Sequence, residues 1–541
     1  DLFLMAASQP FSIPMQGGLD KSSNTMELLK KPGVATKLTN FEISTRGGYR
    51  RINGFTQLGD GTRPNSSNDI EGLHVYADGV IAAAGTNIYF SQDGDSWLQI
   101  NKASVAGGGD NYTAFTGRSA LTRTSQSKAS FATFEGNTVY GEVVITDEGS
   151  GVKPFYFKMT GTGDALSSRT YFAKEITVSG THYPKFCVIH DKHLVVAGAA
   201  TALNTIFYSG TSDIDDFTST GSGSIALDDQ VVGLKSFRNE LFVFCKNSIY
   251  KLQNINDSST IAVVPVTKNV GCVDGKTIQE FAGDLIFLAP DGFRTIAGTA
   301  RIGDVELGTV SKMIQPVIND IFDNIVDYEY SSVVLRDKSQ YRMYYSGSAE
   351  ATQNSKGITG TLTARGFEWT QLTGIQAPAV TSGFNFAGKE KVYHGDRNGY
   401  IYNHDTGSAF NPEGIETDIF AEYQSPDFDY GDFGTLKTLD HVKVSLRPEG
   451  ATDPTLRVRF DFDTPDRIQP NDVSLETNDP SIFGLSLFGS TSKFGSAEAP
   501  LIRQPIQGSG HSNFFKIFSE DTNAPYTING LYINYRPSGR Q

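Results

Sequence analysis

Carboxylates alternate through Asp427-Phe428-Asp429-Tyr430-Gly431-Asp432, an arrangement that hard, oxygen-seeking cations favour. A calcium loop also needs a later bidentate glutamate, and Lys437 stands nearby instead. Turn formation is therefore the favoured reading, as it is for Asp213, Asp215 and Asp216 and for Asp461, Asp463 and Asp466. His190 and His193 flank a turn in a strand pair with no Cys or third His near in sequence, so zinc is not expected. No strand-to-helix serine elbow, phosphate loop or dinucleotide fingerprint is present. The residues in sequence thus imply no metal, no cofactor and no catalytic set. Carboxylates paired across separate strands would stay invisible at this level.

The elements that would have to position any such site form a recurring unit: strand, tight polar turn, strand, with Tyr on the return. The return strands read Asn87-Ile88-Tyr89, Ile206-Phe207-Tyr208, Ile249-Tyr250, Met343-Tyr344 and Tyr400-Ile401-Tyr402. Turns before them start at Asp78, Asp191, Asn239, Asp337 and Gly388. Spacings of roughly 45 to 60 residues fall in the range of radially repeated all-β units, which must stack to bury their apolar faces. Apolar strands such as Leu194-Val195-Val196-Ala197 imply cover on both faces. The expected fold is all-β: a β-propeller-like domain over residues 61–410, preceded by an N-terminal arm and hairpin over 1–60.

After residue 410 strict alternation, as in Leu456-Arg457-Val458-Arg459-Phe460, predicts a C-terminal β-sandwich over 411–541. One helix interrupts the strands. Ile314, Val317, Ile318, Ile321, Phe322 and Ile325 make an apolar stripe, and Pro316 suits a first helical turn. That stripe would pack on the propeller rim or on another subunit. The Phe-Gly pairs around Phe483, Phe488 and Phe494 read as a loop covered by another copy or folded back on the sandwich. Phe483, Phe488, Phe494, Ile318 and Phe322 are accordingly the candidate subunit contacts.

Charge and cysteine usage narrow the functional classes. A formal net charge of −14, from 46 basic and 60 acidic residues, repels the nucleic-acid backbone. Arg46, Arg50 and Arg51 form a local basic cluster that reads as a solvated surface turn. Cys187, Cys245 and Cys272 read as buried free thiols, and the lack of a disulfide framework or signal peptide points to a reducing cytoplasm. The apolar runs are far too short to cross a bilayer as helices.

Ser91-Gln92-Asp93-Gly94-Asp95-Ser96-Trp97 resembles the Asp-box of sialidases and related propellers, one residue short of the usual pattern. There the motif stabilises a hairpin turn and says almost nothing about substrate. A wider resemblance joins Gly17-Gly18-Leu19, Gly48-Tyr49-Arg50-Arg51-Ile52-Asn53-Gly54-Phe55, the propeller-like middle and the closing Gly530-Leu531-Tyr532-Ile533-Asn534-Tyr535. Taken together these are similar to the tail hub or nozzle proteins of short-tailed bacteriophages. The resemblance implies a non-enzymatic structural protein of the virion tail, assembled in the host cytoplasm as a hexameric ring. It further implies an adaptor or head-tail connector and tail fibres or tailspikes as partners, with double-stranded DNA passing through during genome ejection. The rival expectation is a sialidase-like or polysaccharide-degrading propeller. That rival needs arginines and carboxylates clustered at the propeller centre.

Overall fold

The computed structural model describes residues 8–66, 68–101, 123–136, 139–149, 151–160, 169–180, 182–257, 259–297, 309–347, 355–477 and 500–540. Strand dominates, and the described helices are short. Six free-standing sheets of three or four strands, together with the first four strands of a nine-stranded sheet, are arranged around a central channel. The fold is an all-β propeller.

Local chemistry explains the units. The hairpin joining Phe186–His190 to His193–Ala199 turns on Asp191 and Lys192, both at positive φ (49° and 67°). Arg238 and Asn239 do the same between Val231–Phe237 and Glu240–Cys245 (50° and 60°). Two consecutive positive-φ residues match the right-handed twist of the flanking strands, which is why polar residues tolerant of that region occupy these turns. The second strands Gly79–Ala84, Glu142–Asp147 and His193–Ala199 are buried along their whole length. Their apolar runs follow from that position, because each blade is covered by a neighbour on both faces. Separate apolar cores fill the gaps between blades, such as the one joining Tyr76, Phe90, Val143 and Phe157.

The inner strands follow one another around the ring in chain order: Ile70–Tyr76, Ala129–Phe134, Phe186–His190, Val231–Phe237, Gln279–Phe281, Tyr328–Leu335 and Ala379–Phe384, which returns to the first; Val231–Phe237 meets the next blade through the turn Gly275–Thr277. Closure uses the start of the chain. Phe55–Gln57 pairs antiparallel with Ile401–His404 and completes the last blade. Closing a ring with a distant strand removes exposed sheet edges. Gly54 makes this approach possible, since a Cβ there would lie 1.7 Å from the Ala409 carbonyl oxygen. Gly54→Ala is expected to cost about 1–3 kcal/mol through overpacking, read as a lower urea midpoint.

The other large assembly is a pair of packed sheets. Gln9–Pro14 and Tyr49–Arg51 both pair with the long C-terminal strand Tyr526–Arg540, and Lys37–Thr39 lies between Gly366–Thr373 and Ile419–Gln424. Thr455–Phe460 alternates half-buried and buried residues, as its sequence predicts. The two large sheets share one core, which contains Phe41, Tyr49, Val444, Val458, Ile517 and Ile533.

Two sequence expectations require correction here. Arg50 and Arg51 are not solvated. Arg51 is fully buried and bonds Asp521 at 2.6 Å, while Arg50 bridges Glu42 and Glu449. Burial of a guanidinium demands such carboxylate partners. The helix spans Gln315–Asp323, stops short of Ile325, and carries Pro316 in its first turn. Its stripe, including the fully buried Ile318, lies in the chain's own core with Phe322 packed against it. Ile318 is therefore not available to another subunit. Phe483, Phe488 and Phe494 lie outside the described residues.

Candidate active site

The central channel encloses a cavity of about 480 Å³ whose wall takes residues from every inner strand. Charged groups gather at one mouth, where the chain enters the inner strands from the preceding blade. Glu71 follows the first residue of Ile70–Tyr76 at a break in register, between Ile70 opposite Ala84 and Gly72 opposite Ala83. Such a bulge re-aims one side chain out of the alternating pattern. Arg123 arrives from the loop before the next blade. Its guanidinium donates to Glu71 Oε2 (2.7 Å), Asp147 Oδ2 (2.7 Å) and the Gly85 carbonyl (2.9 Å).

Lys128 precedes Ala129–Phe134 and donates to the Pro378 carbonyl at 2.9 Å. Its Nζ also lies 3.0 Å from Glu329 Oε2, and Arg397 Nη2 reaches the same oxygen at 3.0 Å. Arg397 Nη1 meets Asp69 at 3.2 Å. Across the mouth, Lys276 donates to the Ala129 carbonyl (2.8 Å) and to Ser130 Oγ (2.9 Å) and lies 3.5 Å from Glu148. The Lys276 backbone N–H caps Asp274 Oδ1 at 2.7 Å. Tyr330 lines the cavity with a buried hydroxyl that has no hydrogen-bond partner among the described residues.

These environments drive the carboxyls apart. Burial lifts Glu71 to about 7 against the pull of Arg123 and Lys128. Burial and the neighbouring Glu148 lift Asp274 to about 6. Burial also acts upward on Glu329, but Lys128 and Arg397 together hold it below the ordinary glutamate range. At neutral pH the mouth therefore combines a proton-holding carboxyl, a carboxyl poised to accept a proton, and a permanent anion. Divergent carboxyls of this kind can divide acid, base and charge-stabilising roles between them.

Other sequence candidates take structural roles. In the Asp-box-like turn, Ser91 Oγ accepts from Gly94 N–H (2.9 Å), Asp93 from Asp95 N–H (3.0 Å), and Trp97 Nε1 donates to the Thr62 carbonyl (2.9 Å). Asp429 and Asp432 cap the N–H groups of Gly431 and Gly434 in their own loop. His190 and His193 bond separate partners, Ser236 and Asn256. Cys187 reaches the cavity wall, where burial pushes its thiol up to about 11 and leaves it a poor nucleophile. Among the described residues no group of three or more His, Cys, Asp or Glu is placed to hold a metal, and no helix is long and apolar enough to cross a membrane.

No family model and no curated protein matches the chain. Among solved structures, a glycoside hydrolase family 43 arabinoxylan arabinofuranohydrolase from Bacillus subtilis matches over 88% of this chain and 97% of its own, at 9% identity and a TM-score of 0.26. An exo-β-1,3-galactanase from Phanerochaete chrysosporium matches over 90% and 100%, also at 9% identity and a TM-score of 0.26. Both names are those of carbohydrate-cleaving enzymes. The expectation of a non-enzymatic genome conduit in a virion tail is corrected at this point. The two solved structures named are a glycoside hydrolase and a galactanase. At one end of the channel Arg123 pairs with Glu71 and Arg397 with Glu329, and of these four Glu71 alone lines the channel wall. Likeness at this level assigns no chemistry, which must come from the mouth itself.

Proposed function

We propose that this chain is a glycoside-cleaving propeller, with its reaction at the mouth formed by Glu71, Asp274 and Glu329. The observation that carries the reading is the convergence of Glu71, Arg123, Lys128, Glu329 and Arg397 on one end of the channel, with carboxyls shifted in opposite directions. Glycosidic cleavage needs a proton for the departing oxygen and negative charge beside the developing oxocarbenium ion. Glu71 is the group that holds a proton near neutral pH, and its Oε1 is the oxygen not engaged by Arg123. As the bond from the anomeric carbon to the glycosidic oxygen breaks, the Glu71 proton passes to that oxygen. Water adds to the anomeric carbon and gives its proton to Asp274. Glu329, anchored by two cations, stays ionised throughout and stabilises positive charge on the sugar.

The signs predict a bell. Activity needs Asp274 ionised and so rises through about pH 6; it needs Glu71 protonated and so falls through about pH 7. The test is a glycan-hydrolysis screen of the purified full chain, followed by Glu71→Gln. Loss of roughly 10²–10⁴-fold in kcat is expected for that variant, and loss of the alkaline limb with it. A folded chain that cleaves no member of a broad glycan panel, or a Glu71→Gln variant at the wild-type rate, removes the proposal.

A further inference from the structure

The cavity wall carries an unequal set of charges. Lys128, Lys235, Lys276 and Arg336 line it, whereas Glu71 is the one lining carboxylate. Three of those cations have partners: Lys128 with Glu329, Lys276 with Glu148, and Arg336 with Glu390 at 2.9 Å. Lys235, whose backbone is paired in the sheet, has no ion-pair or hydrogen-bond partner for its ammonium among the described residues. It sits on Val231–Phe237 toward the end opposite the acidic mouth, half-buried. Burial lowers its ammonium below the ordinary lysine range, with Glu280 raising it and Arg336 lowering it. An ammonium drawn out of water with no direct ion pair is a costly feature that an anionic ligand would relieve.

Aromatic surface lies at the same end of the channel, where the inner strand Ala379–Phe384 ends. Arg336 donates to Ser382 Oγ at 3.3 Å, and its guanidinium lies over the Phe384 ring, 5.3 Å from the centroid. Phe384 and Phe386 are 58% and 66% exposed and stand two residues apart, so both rings are open to a ligand. Phe386 is held by its N–H on the Ala77 carbonyl (2.9 Å) and by Tyr140, 5.6 Å between centroids. Flat rings next to a cation and hydroxyl groups suit a ligand with apolar C–H faces, hydroxyls and a negative charge.

We infer that this far mouth binds the carboxylate-bearing sugar of an acidic oligosaccharide, with Lys235 as its counter-charge and Phe384 and Phe386 as stacking faces. The inference rests on the glycan reading of the channel and names the substrate class for it. Calorimetry of the full chain with galacturonic acid trisaccharide and with the neutral galactose trisaccharide tests it. The acidic probe is expected to bind about tenfold or more tighter, the scale of one charge-assisted contact. Lys235→Met should bring the two probes within about twofold. Lys235→Arg keeps the charge and should keep the preference, which separates lost recognition from lost folding. Equal binding of both probes, or a Lys235→Met variant with its preference intact, overturns the inference while leaving glycan cleavage standing. Binding of neither probe, together with no cleavage in the screen above, overturns both.

Discussion

Glu42→Ala is expected to remove about 3–5 kcal/mol of stability, the cost of taking one partner from a buried ionic network. Glu42 is 2% exposed and receives four side chains. Arg50 Nη1 and Lys338 Nζ reach its Oε1 at 2.7 and 3.0 Å, and Arg342 Nη2 and Gln340 Nε2 reach its Oε2 at 2.8 and 3.1 Å. Without it, Arg342 and Lys338 share Asp405 alone, at 3.2 and 2.6 Å. Arg342 is 1% exposed, so water cannot take over. The network ties Phe41–Ile43 in the paired sheets to Gln340–Gly347 in the propeller ring, and one substitution should loosen both assemblies. Urea unfolding of Glu42→Ala beside Glu42→Gln, which keeps acceptor oxygen and removes charge, measures it. An alanine variant within about 1 kcal/mol of wild type would show that the charges are solvated in solution.

What was legible in the chain follows from the range of the forces involved. Hairpins are local, so the turn at Asp191-Lys192 and its flanking apolar strands announce themselves, and alternation announces Thr455–Phe460. The closing strand Phe55–Gln57 has three residues, and its partner lies far along the chain. No local pattern contains that pairing. The helix stripe showed which face is apolar, but not that the chain's own core would cover Ile318. The glycines behind the phage resemblance have packing reasons. A Cβ at Gly18 would lie 2.9 Å from the Trp369 backbone, and one at Gly48 would lie 2.5 Å from the Ile528 carbonyl. Such glycines report close backbone approach.

The channel mouth was hidden for a similar reason. Glu71, Lys128, Asp274, Glu329 and Arg397 come from different blades, and ring closure alone assembles them. One signal was available: Glu71, Lys128 and Glu329 each stand at the entry to an inner strand, where an apolar run would be cheaper. Net charge is an average and says nothing of the channel. A chain at −14 lines its channel with four cations and one carboxylate.

Acid should weaken the ring through His394 and His404, by about 3 kcal/mol between pH 6.5 and 5.0. Both rings are buried, at 1% and 4% exposure. Arg342 Nη1 lies 3.3 Å from His404 Nε2, and a guanidinium only donates, so that nitrogen accepts and His404 Nδ1 carries the proton. His404 Nδ1 then donates to His394 Nδ1 at 3.1 Å. A second proton on either ring would set a donor against a donor beside a buried cation. Burial lowers His394 to about 3; burial, then His394 and Arg342, hold His404 well below the usual imidazole range. Both shifts are depressions, so the unfolded chain takes up protons below about pH 6.5 that the folded chain refuses. The contribution is complete well above that pH and is lost on acidification, at a slope that approaches about 1.4 kcal/mol per pH unit for each ring below it. Glu71 and Asp274, raised in the folded state, act in the opposite sense over part of this window, so the reading is a difference. Wild type and a His394→Gln/His404→Gln variant are each unfolded in urea at pH 6.5 and 5.0. The variant's stability should depend on pH less steeply by the stated amount. His404 is paired in register with Phe55, so the loss should begin at the strand that closes the ring. Identical pH dependence in the two proteins would place the charge-refusing groups elsewhere.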